Sequence, residues 1–264
     1  TWVVDNSGAF RMDAEVPLVV PEVNTAALQK HVQSSTGSFK KKVIAGPNCT
    51  TVQLVVVLKA LHEKFGLKRV VVSTYQSVSG AGTLAIDELK NQTQDILNGK
   101  DARPEIFPHR IAFNCIPHIG GFKDDGYTSE EQKVALESRK ILGLPNLKIV
   151  CTAVRVPAIS THGESVNVEL EKPFEMAQVF DALKLQEGIK LLDDPSQKIY
   201  PLGESHSGGS VEGASGRDAV YVGRVRRDPT LSNGLNLWIV SDNLRKGAAL
   251  NAVQVGEKLL SLLQ

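Results

Sequence analysis

One stretch constrains this chain more than any other. Ala45-Gly46-Pro47-Asn48-Cys49-Thr50-Thr51 leads straight into an apolar helical run, Val52 to Leu61. Asn48 is a good helix N-cap, which puts Cys49 in the first turn, beside unpaired N–H groups and the positive end of the helix dipole. Both favour thiolate over thiol, and the thiolate is the nucleophile. The stretch therefore reads as an activated cysteine aimed at a carbonyl. The competing reading is a small buried cysteine at a helix start, the commoner fate of a free thiol.

The rest of the composition excludes several classes. At 42% hydrophobic and 22% charged over 264 residues, the chain has the makeup of an ordinary globular protein of one large domain or two modest ones. A formal net charge of +1 gives no bulk attraction for nucleic acid or an acidic membrane. The basic run Lys40-Lys41-Lys42 reads as a solvated loop edge. Cys49, Cys115 and Cys151 are widely spaced, with no CxxC pair, so neither a disulfide framework nor a metal site is expected. A reducing compartment fits: the cytoplasm, or the plastid stroma for a plant or alga. No apolar run has the length of a membrane span. The opening Thr1-Trp2-Val3-Val4 resembles neither a signal peptide nor a natural start.

Along the chain, Val16 to Pro21 reads as a short buried strand and 31–42 as a polar loop. Val43 to Ala45 is a second strand, followed by a helix from Thr50 to Phe65 closed by Gly66. Arg69 to Tyr75 is a β-branched strand, and Gly80-Ala81-Gly82 opens an amphipathic helix to about Asn98. Loop follows to 126. Ser129 with Gln132 then forms a capping box for a helix ending near Leu142. Lys148–Val156 and Ser165–Glu171 are strands flanking a turn, and Pro173 starts a helix. Residues 203–217 read as a surface loop, Ala219–Val225 and Leu235–Val240 as strands, and Ala248–Leu263 as a closing helix. Helices and strands mix without strict alternation, which favours α+β over a doubly wound sheet.

Four more polar segments sit where a plain fold needs none: Ser7 to Met12, Ser73 to Gly82, Tyr127 to Lys133, and Val154 to Ser165. With the Pro-Asn-Cys stretch and Trp238 to Leu244, all in order, the chain closely resembles aspartate-semialdehyde dehydrogenase from end to end. The resemblance implies a mixed sheet flanked by helices, as in the catalytic domain of glyceraldehyde-3-phosphate dehydrogenase, with remnants of a Rossmann-type domain at both ends. The expected division is 1–48 as nucleotide-domain remnant, 49–243 as catalytic and dimerisation domain, and 244–264 as a closing helix on the nucleotide domain.

The resemblance also carries over roles. Cys49 matches the acyl-forming nucleophile, His162 the general acid/base, and Gln76 the residue that orients substrate. Glu130 and Arg155 match the groups that hold the α-amino and α-carboxylate. Arg11 and Lys133, with Asn48, match the phosphate site. Ser79, Gly80 and Asn243 match contacts to the cofactor, NADP. The implied reaction reduces L-aspartyl-4-phosphate to aspartate semialdehyde through a thioester, in a homodimer, with a small-molecule substrate and no metal, nucleic acid or membrane.

These residue types suit that chemistry. A thiolate attacks and leaves readily, and imidazole titrates near working pH. A dianionic acyl phosphate wants two cations, and a zwitterion wants an anion and a guanidinium. Read without the resemblance, His162 is a turn histidine, Glu130 and Lys133 are a surface i,i+3 pair, and Gly80-Ala81-Gly82 is a weak phosphate-loop signal. Arg155 in an apolar strand resists the plain reading, because a buried guanidinium needs an anion.

Two departures stand out. No strand–glycine–helix unit precedes Ser7, and the cluster Gly203 to Gly216 comes too late to replace it. That implies a member lacking roughly its first quarter to third, judged by ordinary domain sizes. Weak NADPH binding by the chain alone would follow. The stretch His31 to Lys42 is also longer than the link expected in bacterial relatives. Two competing functions remain: a reductase of N-acetyl-glutamyl phosphate, which has no free amino group for Glu130 to hold, and an inactive paralogue serving as a dimerisation or regulatory subunit.

Overall fold

The computed structural model describes residues 1–34, 42–205 and 211–264. In chain order they form strand β1 (Val3–Asp5), helix α1 (Pro21–Ser34), β2 (Val43–Ala45), α2 (Cys49–Phe65), β3 (Leu67–Gln76), α3 (Thr83–Leu97) and α4 (Ser129–Leu142). There follow β4 (Lys148–Arg155), β5 (His162–Leu170), α5 (Met176–Leu185), β6 (Ile189–Leu191), β7 (Val220–Arg227), β8 (Gly234–Ser241) and α6 (Leu250–Leu263).

α2 is apolar nearly all round, and a helix of that kind must be buried. It packs against α4 and α5 and lies across the inner face of a six-stranded sheet ordered β4-β3-β5-β8-β7-β6. The sheet is mixed: β3/β4 and β6/β7 are parallel, while β3/β5, β5/β8 and β7/β8 are antiparallel. The protein is α+β, a mixed sheet flanked by helices.

Alternation along the strands decides which residues face α2. On β3 these are Val70, Val72, Thr74 and Gln76; on β5, running the other way, Val168, Val166, Glu164 and His162. On β4 they are Ile149, Cys151, Ala153 and Arg155, and on β8 Leu235, Leu237, Ile239 and Ser241. All four strands turn from apolar to polar at the same end. The main hydrophobic core therefore fills one end of the α2–sheet interface and leaves polar side chains at the other.

A smaller core joins the two ends of the chain. β1 and β2 pair in parallel, and Val19, Leu28, Ile44, Val255 and Leu259 bury one another with Trp2, Val4 and Leu262. Lys246 and Glu22 add a buried ion pair of 2.6 Å between the segment before α6 and α1.

Several sequence expectations need correction. Val16 to Pro21 is buried but forms only an isolated bridge, Leu18 to Ala45, and Pro21 instead starts α1, which the polar surroundings had hidden. The cap of α4 is Thr128, whose hydroxyl accepts the Glu131 N–H while Glu131 accepts the Thr128 N–H; Ser129 lies one residue inside. Gly80 and Ala81 belong to a 3-10 turn, Val78–Ala81, before α3 begins. α5 starts at Met176 behind a Glu175–Gln178 capping box, not at Pro173. β5 begins at His162, so the His-Gly-Glu triplet is strand rather than turn. β6 was not anticipated. The expected loops 31–42 and 203–217 fall partly outside the described residues, and 31–34 belong to α1.

Candidate active site

At the polar end of the sheet, Gln76 pairs with Arg155 on one side and with His162 on the other, and His162 pairs with Ser241. Paired residues in neighbouring strands point to the same face. Arg155, Gln76, His162 and Ser241 therefore form one row across four strands, under the N-terminal turn of α2. All four are buried. Ser241 ties the row to the helix by donating its hydroxyl to Gln53 Oε1 at 2.6 Å.

Asn48 caps α2 as expected: its Oδ1 accepts the Thr50 N–H at 3.0 Å. Its Nδ2 reaches across to α4 and donates to Glu130 Oε1 at 2.9 Å, which also accepts from Gln76 Nε2 at 3.2 Å. Cys49 follows in the first turn and sits in the field of Glu130, Arg155 and Arg11. On its other side the chain passes so close that a Cβ on Gly247 would come 2.9 Å from Cys49 Cβ. Gly247 belongs to a π-helical turn, Arg245–Ala249, a local distortion often found at functional sites.

The electrostatics of Cys49 differ from the helix-dipole expectation. The residue is half-buried, yet its sulfur is closed in. Burial, and after it the Glu130 carboxylate, push the thiol up to about 12. The Thr50 N–H and the guanidiniums of Arg155 and Arg11 pull it down, but desolvation wins. In this state Cys49 is a thiol, and attack by its sulfur would need a base.

His162 can be that base. Burial holds its imidazole down to about 3, so it is neutral at physiological pH. Nδ1 lies 3.2 Å from the Ser77 N–H and 3.0 Å from the Thr161 carbonyl. An unprotonated Nδ1 accepts the first, and a protonated Nδ1 donates to the second, so each neutral tautomer has a partner. Nε2 is buried and has no partner among the described residues. Thr161 itself adopts a φ of +68°, a strained value for a β-branched residue. Asn243 Oδ1 holds it there by accepting the Thr161 N–H at 2.9 Å, and its Nδ2 donates to Ser79 Oγ at 3.0 Å.

The expected site residues thus fall into two joined groups. Asn48, Cys49, Gln76, Glu130, Arg155 and Arg11 surround the thiol. Ser79, Gly80 and Asn243 surround His162. Gly80 joins them, because a Cβ there would come 3.2 Å from Arg155 Nη1 and 3.5 Å from the His162 ring. Lys133 stands at the rim, half-buried, 3.4 Å from Glu130 Oε2. Arg155 is buried, donates to the Ser77 carbonyl at 2.7 Å and has Glu130 as its facing anion. Arg11 pairs with Glu137 at 3.1 Å and donates to the Asn6 carbonyl, while its Nε is buried with no partner among the described residues.

The sequence reading missed Ser77, Thr161, Glu137 and Gly247. Ser77 and Thr161 lie inside the polar segments already singled out. Glu137 had a signal, standing seven residues beyond Glu130 on one helix. Gly247 had none. A concavity of about 550 Å³ lies on the opposite face of the sheet, lined by Tyr75, Gly163, Leu202, Trp238 and Val240, and holds none of the expected site residues.

Known proteins share this fold and much of this sequence. Residues 58–246 match the family described as semialdehyde dehydrogenase, dimerisation domain, and residues 1–31 match its NAD binding domain. Aspartate-semialdehyde dehydrogenase of Aquifex aeolicus is 48% identical over 260 residues, covering 98% of this chain and 72% of the relative. The crystal structure of aspartate semialdehyde dehydrogenase II from Vibrio cholerae superposes with a TM-score of 0.87 at 44% identity, covering 98% of this chain and 72% of that one. A second structure of that enzyme, described as complexed with ASA, gives the same TM-score at 43% identity. With nearly all of its length aligned to such relatives, the chain belongs to the aspartate-semialdehyde dehydrogenases, enzymes of amino-acid biosynthesis.

Proposed function

We propose that this site converts L-aspartyl-4-phosphate to L-aspartate 4-semialdehyde and phosphate through a thioester on Cys49, with NADPH as reductant. The observation that carries the reading is the convergence of Cys49, the Arg155–Gln76–His162 row and Glu130 at one end of α2. The complex with ASA described for the Vibrio cholerae enzyme, at 43% identity, supports the substrate.

His162 Nε2 takes the Cys49 proton, and the sulfur attacks the acyl carbon. The C–O bond to phosphate breaks as the C–S bond forms. Arg11 Nε, a buried donor without a partner among the described residues, faces the leaving phosphate together with Lys133 and the Asn48 amide. Glu130 holds the substrate ammonium and Arg155 its α-carboxylate. That ammonium also cancels the carboxylate charge that raises the Cys49 thiol, so the correct substrate favours its own nucleophile. Gln76, fastened to Glu130 and Thr74, orients the acyl group. The N–H groups of the first turn of α2 face the charge that develops on its oxygen.

Ser79, Gly80 and Asn243 fit the nicotinamide end of the cofactor, since at Gly80 only backbone stands beside His162 and Arg155. NADPH, when bound, supplies the hydride that brings the thioester to the level of the aldehyde. His162, carrying the Cys49 proton, gives it to the oxyanion to form the thiohemiacetal, takes it back as the C–S bond breaks, and returns it to the Cys49 thiolate. The one proton that the overall reduction consumes comes from solvent and leaves on the phosphate.

The apolar concavity on the outer face, with Tyr75 against Trp238 at a ring separation of 5.3 Å, fits a second copy of the chain, and the family's dimerisation-domain description supports a homodimer.

Phosphate-dependent reduction of NADP with aspartate semialdehyde tests the reading on the full-length enzyme. Activity is expected with this substrate and not with N-acetyl-glutamate semialdehyde, which cannot use Glu130. A preference for the N-acetyl substrate, or turnover unchanged in Cys49→Ser, would refute it.

A further inference from the structure

Four charged residues mark one face of α4: Glu130, Lys133, Glu137 and Lys140, at helical intervals of three and four. The reaction just described uses the first two. The second two grip the segment that carries Arg11. Lys140 Nζ donates to the carbonyls of Arg11, Asp13 and Val16 at 2.8, 2.8 and 2.9 Å. The Glu137 carboxylate, whose side chain is 1% exposed, is divided between two partners. Oε1 accepts from Arg11 Nη1 at 3.1 Å, and Oε2 accepts the Asn48 N–H at 2.6 Å.

This carboxylate thus ties the Arg11 segment and the cap of α2 together on α4. Arg11 is held twice, through Nη1 by Glu137 and through Nη2 by the Asn6 carbonyl. Its remaining donor, Nε, is left buried and unpartnered among the described residues. A buried carboxylate is costly unless paired, and its charge weakens the field a phosphate would feel from Arg11. Electrostatics alone would favour its absence. Geometry favours its presence, because a single rigid acceptor sets the guanidinium and the nucleophile's turn against each other.

We propose that Glu137 is the positioning residue of the phosphate subsite, fixing Arg11 and the Asn48–Cys49 turn in register so that leaving group and nucleophile are presented together. The proposal rests on the assignment of Arg11 to phosphate given above and extends it to a residue that does not touch substrate.

The test uses the full-length enzyme in the phosphate-dependent direction, with Glu137→Gln, Glu137→Asp, Arg11→Ala and the Arg11→Ala/Glu137→Gln pair. Gln keeps one acceptor but turns a donor on the other partner, and Asp keeps the charge but falls short of one. Each is expected to raise KM for phosphate about tenfold, the scale of one lost charge-assisted hydrogen bond, while KM for the semialdehyde stays within about twofold. In the Arg11→Ala background, Glu137→Gln should add nothing further, because the two act as a unit. If Arg11→Ala raises KM for phosphate and both Glu137 variants leave it unchanged, the positioning role is wrong and the phosphate assignment stands. If Arg11→Ala itself leaves that KM unchanged, the assignment falls and the proposal with it. Equal changes in both KM values, accompanied by a lowered melting temperature, would show a structural role only and overturn the proposal.

Discussion

Gln76 and His162 stand directly opposite each other where the antiparallel ladder of β3 and β5 ends. The pairing sets the His162 imidazole beside the residue that fastens Glu130, and both lie under the first turn of α2. A chain that buries a glutamine at this position also controls the charge around Cys49. Gln76→Glu would place a second carboxylate against Glu130 and push the thiol further up. The variant should therefore lose more kcat than Gln76→Ala and react more slowly with iodoacetamide at neutral pH. Faster alkylation in the Glu variant would contradict the account.

Asn48 has two separable jobs. Its Oδ1 caps α2, and its Nδ2 holds Glu130. Asn48→Ser keeps a cap and loses the second contact, whereas Asn48→Ala loses both. Thermal or urea unfolding should show Ser near the wild type and Ala less stable by about 1 kcal/mol. Activity should fall in both. Equal stability with unequal activity would mean that the cap is not what holds the turn.

His162 and Glu164 make opposite contributions to the pH dependence of stability. The imidazole titrates at about 3 when folded against 6.5 when free, so the unfolded chain binds a proton first as pH falls. Stability is then lost progressively from pH 6.5 towards pH 3. His162→Gln should flatten that limb. Glu164, fully buried with both carboxylate oxygens lacking a hydrogen-bond partner among the described residues, is held well above 4.5. Its contribution is lost as pH rises beyond 4.5, so Glu164→Gln should gain stability at neutral pH relative to pH 4. Chemical denaturation from pH 3 to 8 reads both slopes.

Much of this was legible in the residues, for physical reasons. The Pro-Asn-Cys turn announces its helix because Asn is a cap and the following run is apolar. The long strands β3, β4, β7 and β8 show their β-branched alternation. α1 was hidden because its sequence lacks a clear apolar period, and β6 because it is three residues long. The α4 cap slipped by one residue because Thr128 and Ser129 both suit the position, and only the geometry picks Thr128. The convergence of Arg155, Gln76 and His162 depends on strand register across 79 to 86 positions of sequence, which local patterns do not encode. The thiol's raised pKa was invisible for a related reason. The helix dipole is local and can be read from Asn48, but the burial and the Glu130 carboxylate that outweigh it come from α4 and the sheet.

The most direct measurement follows Cys49 itself. Full-length enzyme is mixed with aspartate semialdehyde and NADP in the absence of phosphate, quenched within the first turnover, and digested for mass spectrometry. The account predicts one burst of NADPH per active site and an aspartyl group on the peptide bearing Cys49, released on adding phosphate. A burst with the acyl group on any other residue, or steady turnover in Cys49→Ala, would contradict it.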